Sequence, residues 1–369
     1  MPSTDEILDE FEKLREPFEN QFILPWQTES STAVPWGHAI MRVAMTLRGD
    51  LLTSVLKSLI QSESFALRSV AVHLIGAHSL DAMSDHLEER LREDVSVPVR
   101  ALAASALTRL GSEHSASLLR IADDEHAEVK KVALAVFQQS PSPIATQCAI
   151  RWMTQQGEDE SVRVASAAVL SASKQEEATT ALIDQLSDNG SPDAVRGAAA
   201  SALTESPSSA VSQALAAACS DSRHWVRAKS LVALALIDPI VATPIVESAL
   251  SKDDPWMVRT HAVMALQHTH GEKTAIITEL ADDAEVSIRG EIAVLIGNLK
   301  SSDSSHLLLN LLQDPDLGVR VHACSSTETI LGQSFGLEAI VGQTTMDMSS
   351  LTSTLEAAAT ALRTHIDAG

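Results

Sequence analysis

Residues 253–266 read DDPWMVRTHAVMAL, and the fold can be worked out from this phrase. An acidic turn leads to an aliphatic residue, Val258, then to Arg259, then to Ala262, Ala265 and Leu266. Counted from Arg259, the apolar positions stand at −1, +3, +6 and +7. Those offsets fall on one side of a helix with 3.6 residues per turn, so the phrase predicts an amphipathic helix with one buried face. Asp253, six residues before the Arg, predicts an N-terminal cap, because its carboxylate accepts backbone N–H bonds and its charge suits that end of a helix.

The phrase recurs along the chain. Its basic residues are Arg68, Arg100, Lys130, Arg163, Arg196, Arg227, Arg259, Arg289 and Arg320, with separations of 32, 30, 33, 33, 31, 32, 30 and 31 residues and a mean period of 31.5. The preceding residue is aliphatic all nine times: Leu67, Val99, Val129, Val162, Val195, Val226, Val258, Ile288 and Val319. Offset +3 is small in eight of nine repeats, which lets helices approach closely, and offset +7 is Ile, Leu or Phe until Thr327 breaks the column. Offset −6 is Asp94, Asp124, Asp221, Asp253, Asp283 and Asp314, with Ser62, Gly157 and Gly190 in the other three places. A second apolar-periodic run lies between phrases, as in TPIVESALS, AIITELA and SHLLLNLL. Each unit is therefore helix, turn, helix, and a period of this length marks a stacked array.

An Asp, five residues, an aliphatic–Arg pair and helically spaced Ala resemble HEAT repeats, and the short period is similar to the subclass seen in phycobilisome lyases. The resemblance covers residues 37–330. It implies an all-α fold, an α-solenoid (α-α superhelix) of about nine to ten helical hairpins. It also implies that the recurrent acids and bases form a ladder of charge-assisted hydrogen bonds between repeats, through Asp94, Arg100, Asp124, Lys130, Asp221, Arg227, Asp253, Arg259, Asp283, Arg289, Asp314 and Arg320. Such arrays place their second helices on a concave side and serve mostly as scaffolds and adaptors, so the fold alone does not settle function.

The flanks read as capping elements. Residues 1–36 hold an amphipathic run with Ile7, Phe11, Leu14, Phe18 and Phe22 on one side, then a Pro-containing linker, PWQTESSTAVP. This segment is expected to cap the first repeat, with a mobile docking arm as the alternative. Residues 331–369 form a degenerate repeat and a helix from about Ser350 to Ile366, with Leu351, Leu355, Ala358, Leu362 and Ile366 in line.

Charge limits the partners. The 369 residues carry 27 Lys plus Arg and 49 Asp plus Glu, a net −22, which repels nucleic acid and anionic membranes. The acidic N-terminus, with Asp5, Glu6, Asp9 and Glu10, does not read as a secretory signal. Three widely spaced cysteines, Cys148, Cys219 and Cys324, suit a reducing compartment. The expectation is a cytoplasmic, monomeric protein, with self-association through the terminal helices as an option.

On the second helix, offsets +1 and +5 lie opposite the buried side and are expected to form the floor of the concave face. Offset +1 reads Ser69, Ala101, Lys131, Val164, Gly197, Ala228, Thr260, Gly290 and Val321. Offset +5 reads His73, Ser105, Ala135, Ala168, Ser201, Val232, Met264, Val294 and Ser325. This floor is small and almost uncharged, which suits an extended peptide or an amphipathic helix. Trp225 and Trp256 are expected as an aromatic pair on its rim. Offset +2 turns polar in the later repeats, as Lys229, His261, Glu291 and His322. These residues and Met264 complete the candidate partner-binding set.

Enzyme readings have less behind them. His and Glu can ligate zinc or iron, and HEAT-like hydroxylases resembling deoxyhypusine hydroxylase do so through adjacent His-Glu pairs; here Gly290 stands where that family has His. Stacked repeats also lie about 10 Å apart, too far for three of them to share one ion. No glycine-rich phosphate loop, zinc-spaced Cys pair or G-x-S-x-G motif occurs. The reading is thus a non-enzymatic scaffold or adaptor that binds a protein or peptide and needs no cofactor. A bilin-lyase-like activity or, below it, a metal-dependent hydroxylase is the alternative.

Overall fold

The computed structural model describes residues 4–9, 49–111, 124, 126–139, 141–271, 273–300, 304–341 and 347–368. The fold is an all-α solenoid of helical hairpins, with no strand among the described residues. The chain divides into two compact units, Met1–Ala178 and Thr179–Gly369. No helix of the described residues is long and apolar enough to cross a membrane.

In the first unit, α1 (Gly49–Ile60) pairs with α2 (Phe65–Ala77), and α3 (Ser84–Glu93) pairs with α4 (Val97–Leu110). α5 (Ala127–Gln139), α6 (Pro143–Thr154) and α7 (Glu160–Ala172) complete it. α8 (Glu176–Ser187) spans the division. The second unit continues with α9 (Asp193–Ala202), α10 (Ser209–Ala218), α11 (His224–Ile237), α12 (Pro239–Ser248), α13 (Trp256–Leu266), α14 (Thr274–Leu280), α15 (Val286–Leu299), α16 (Ser305–Leu311) and α17 (Leu317–Leu331). It ends with α18 (Leu337–Val341) and α19 (Met348–Ala368). Each recurrent phrase is a helix, and every one but α5 follows a first helix among the described residues. Of the N-terminal run, residues 4–9 are helical with Ile7 buried, and the rest lies outside the described residues.

The core follows the columns. Offset −1 is buried in all nine second helices, and so is offset +3. Thr327, the exception at +7, is fully buried as well, because its hydroxyl donates to the Ala323 carbonyl at 2.8 Å and leaves no unsatisfied group. At the C-terminal end α19 packs against α16 and α17, burying Leu351, Leu355, Ala358 and Leu362.

The Asp column does not cap the second helices as its sequence position implies. Asp94, Asp124, Asp221, Asp283 and Asp314 each accept the backbone N–H two residues on, at 2.8–2.9 Å. That fixes the turn entering the helix. The caps stand nearer the helix: Ser64 for α2, Asp159 for α7 and Asp316 for α17 accept first-turn N–H groups.

Successive second helices pack directly on one another within each unit: α2 on α4, α4 on α5, α5 on α7, then α9 on α11, α11 on α13, α13 on α15 and α15 on α17. The approach is close. A Cβ at Gly76 would lie 2.8 Å from the Ala106 Cβ, and one at Gly297 would lie 2.6 Å from the Ser326 Oγ. A Cβ at Gly290, inside α15, would meet nothing within 4 Å.

These glycines give opposite predictions. Gly290→Ala is expected to raise stability by about 1 kcal/mol, since it removes the helix penalty of glycine at no steric cost. Gly76→Ala and Gly297→Ala are expected to lower it by about 1–3 kcal/mol through overpacking. Denaturant unfolding of the three variants beside the parent checks both signs.

Candidate functional site

The recurrent charges meet between neighbouring repeats. In the first unit Arg68 grips Asp94 with two bonds of 2.7 and 2.8 Å, Arg100 grips Asp124 at 2.7 and 3.2 Å, and Lys130 reaches Glu158 at 2.6 Å. In the second, Arg196 bonds Asp221, Arg227 bonds Asp254 at 3.1 Å, Arg259 bonds Asp283, and Arg289 grips Asp314 at 2.7 and 2.9 Å. Several guanidinium groups also return Nη1 to the carbonyl six residues earlier in their own turn: Arg68 to Ser62, Arg100 to Asp94, Arg227 to Asp221, Arg289 to Asp283 and Arg320 to Asp314. One fork thus joins its own turn to the next.

Three positions correct the column. Asp253 is exposed, and it is Asp254 that receives Arg227. Glu158, five residues before the basic residue of its own repeat, Arg163, receives Lys130 and stands in for the absent acid at Gly157. Arg320 bonds only the carbonyls of Asp314 and Pro315, at 2.6 and 3.0 Å, and meets no carboxylate in a following repeat among the described residues.

Electrostatics follows the bonding. Burial works against ionisation of Asp124, Asp221 and Asp283, yet hydrogen bonds from Arg100, Arg196 and Arg259 and from the following backbone N–H outweigh it and hold all three below the ordinary carboxylate range. At Asp314 the hydrogen bond from Arg289 is the largest influence and acts in the same direction.

The solvent-facing stripe of the second helices differs from the expected floor. In the second unit, offset +1 is buried at Gly197, Ala228, Thr260 and Gly290. The cause is the neighbouring helix: Gly197 lies under the Trp225 ring, where a Cβ would meet Nε1 at 2.7 Å, and the Thr260 hydroxyl sits 3.1 Å from that of Ser287. Offset +1 of one helix therefore meets offset −2 of the next. The open stripe runs through −2, +2, +5 and +9, and none of its twenty residues on α9, α11, α13, α15 and α17 and the turns after α9 and α13 is buried. Only Glu205, Lys229 and Glu291 among them carry a formal charge. In the first unit the equivalent Ala66, Val70 and Leu102 are buried, so the stripe is more closed there.

All the candidate residues but Trp256, which stands at −3, fall on this stripe. Trp225 is half-buried, with the Lys229 ammonium 4.6 Å from its ring centroid and His261 edge-on at 6.0 Å. His261 Nδ1 donates to the Met257 carbonyl at 2.9 Å. Glu291 and His322 feel each other electrostatically on α15 and α17; burial raises the Glu291 carboxyl, and His322 partly offsets it. Trp256 is 53% exposed at the start of α13, and Met264 is 38% exposed on the stripe. The two Trp rings make no contact with each other. They stand at −2 and −3 in their repeats, which turns them about 100° apart around the helix. Among the described residues no group of three His, Cys, Asp or Glu is placed to hold a metal ion. Sequence reasoning passed over Leu236, 48% exposed, and Ile240, 75% exposed, where α11 turns into α12. The signal for Leu236 is its offset of +9, one step along the same stripe.

With this geometry in place, known proteins can be set beside the chain. The profile of the family described as HEAT repeats matches residues 115–203 and 179–267, so the hairpins over that span are similar to HEAT repeats. No curated protein sequence matches the chain. Among solved structures, the crystal structure of Kap121p superposes with a TM-score of 0.56 at 15% identity, over 90% of this chain and 43% of that one. Kap121p bound to Pho4p gives 0.57 at 14% over 90% and 43%. The karyopherin Kap121p bound to the SUMO protease Ulp1p gives 0.56 at 12% over 99% and 46%. The likeness is one of fold, and the chain spans less than half the length of these proteins.

His261 supplies a pH prediction. Burial holds its imidazole below the ordinary value of 6.5, and the Lys229 charge adds to the effect. A depressed histidine contributes stability that is present above 6.5 and lost as pH falls toward the folded-state value. The advantage of the parent over His261→Phe is therefore expected to shrink between pH 7 and pH 5. Unfolding curves of both proteins across that range check it.

Proposed function

We propose that this protein is a non-enzymatic scaffold or adaptor of the short-period HEAT kind, acting in the cytoplasm, and that it binds a protein or peptide on the open stripe of its second unit. The observation that carries the reading is the contrast between the molecule and the stripe. A chain of net −22 exposes twenty stripe positions with three formal charges, among them Trp225, Met257, Met264, Leu236, Val232 and Val294. A surface of aromatic and flexible apolar side chains with a few polar groups between them suits an apolar peptide or helix face, and it does not suit phosphate. The crystal structures of Kap121p with Pho4p and with Ulp1p support the reading, since a related stack of hairpins holds proteins there.

Roles can be divided among the residues. Met264 on the stripe and Trp256 on the flank beside it, the most exposed of the large side chains on α13, are the contact anchors. Trp225, already packed on Gly197, Lys229 and His261, shapes the surface beside them. Lys229, Glu291 and His322 supply direction, because a partner must answer a cation at one end of the stripe and a carboxylate–histidine pair at the other.

The test is affinity capture from native extract on the intact chain and on a Trp256→Ala/Met264→Ser variant whose folding is verified by circular dichroism. A protein held by the intact chain is expected to bind the variant about 30-fold more weakly, the loss typical of an aromatic anchor. Equal retention by both would contradict the placement of the site. Capture dominated by nucleic acid and abolished by modest salt would contradict the class of partner.

A further inference from the structure

The ladder ends at Arg320. In the repeat before it, the Arg289 fork points Nη1 back at the Asp283 carbonyl and gives Nε and Nη2 to the carboxylate of Asp314. Arg320 makes the same backward contacts through Nη1, to Asp314 and Pro315. Its Nε and Nη2 have no partner among the described residues. That open edge borders a groove with about 350 Å³ of free volume, walled by Leu312, Leu317, Leu351 and Leu355 and flanked by Glu356. The walls come from the last hairpin, α16 and α17, and from α19. In the stack, this is where the turn of a following repeat would bring its acid.

We propose that the groove between α17 and α19 is a docking site for an acidic peptide segment of a partner protein, whose carboxylate takes the place beside Arg320 that Asp314 takes beside Arg289. Charge complementarity selects this occupant. A guanidinium fork with one edge already engaged offers two parallel N–H donors, which fit a carboxylate better than any neutral group. The leucines around it ask for an aliphatic residue next to the acid, as Leu317 follows Asp314 and Asp316 in the chain's own turn. Glu356 is on the groove wall and forms no ion pair with Arg320 in this structure, so it disfavours a long acidic run and leaves a short acidic turn like that of Asp314 and Asp316. The site is separate from the Trp256–Met264 surface and does not rest on it.

The probe is a capped peptide of the chain's own turn, QDPDLGV, residues 313–319, labelled with a fluorophore and titrated with the intact protein. Saturable binding is expected. It should weaken at least about tenfold when the first Asp of the peptide is replaced by Asn, and by a similar factor with the Arg320→Gln protein, while Trp256→Ala leaves it unchanged. The peptide substitution leaves the protein untouched, so a folding defect of the Arg320 variant does not blunt the test. No saturation, or equal binding of the Asp and Asn peptides, would overturn the proposal. So would binding that appears only in Glu356→Gln, since Arg320 would then be held by its own chain, or self-association of the protein that Arg320→Gln abolishes, since a second copy would then be the occupant.

Discussion

The structure depends on one carboxylate performing two tasks. Asp283 accepts the Glu285 backbone N–H and so fixes its own turn, and it receives the Arg259 guanidinium from the preceding repeat. Asp94 and Asp314 do the same for Arg68 and Arg289. The turn that starts a helix is therefore also the point at which the previous repeat is registered. Buried ion pairs of this kind contribute little net stability compared with well-packed apolar residues, but a lone partner left behind is costly. The ladder thus acts chiefly by penalising every register except the one that pairs all its charges.

Registry in turn decides what the molecule shows to solvent. Within each unit an interior second helix such as α13 is covered by its own first helix and by a second helix on either side, and small residues let those neighbours come close. Gly197, at +1, under Trp225 and Gly297, at +8, against Ser326 are the tightest examples. One narrow stripe remains open. In the first unit it is partly closed over Val70 and Leu102, while in the second it carries Trp225, His261, Met264 and Leu236. The functional proposal rests on that difference.

The sequence announced the hairpins because the period is strict and each column has a physical reason: aliphatic at −1, small at +3, large at +7. It located the exposed stripe less well. Treating each helix as having one buried face put offset +1 in the open, whereas the contact between Thr260 and Ser287 belongs to a helix packed on three sides. The ladder was legible as a pattern but not residue by residue, since a shift of one place, to Asp254 or Glu158, is as good for a flexible guanidinium or ammonium as the column position. The groove at Arg320 left no mark in the sequence, because a column of acids does not show which arginine finds no carboxylate in the folded chain.

A double-mutant cycle on Arg259 and Asp283, buried and paired between α13 and the turn before α15, bears most directly on the account. Arg259→Met and Asp283→Asn, alone and together, would be compared by denaturant unfolding, the Asn being chosen because it keeps the turn bond to Glu285. If the rung registers the repeats, each single change costs about 3 kcal/mol, and the pair falls short of the sum by at least about 1.5 kcal/mol. Costs that simply add would mean that the two charges are stabilised independently, and the ladder would not be what holds the stack in register.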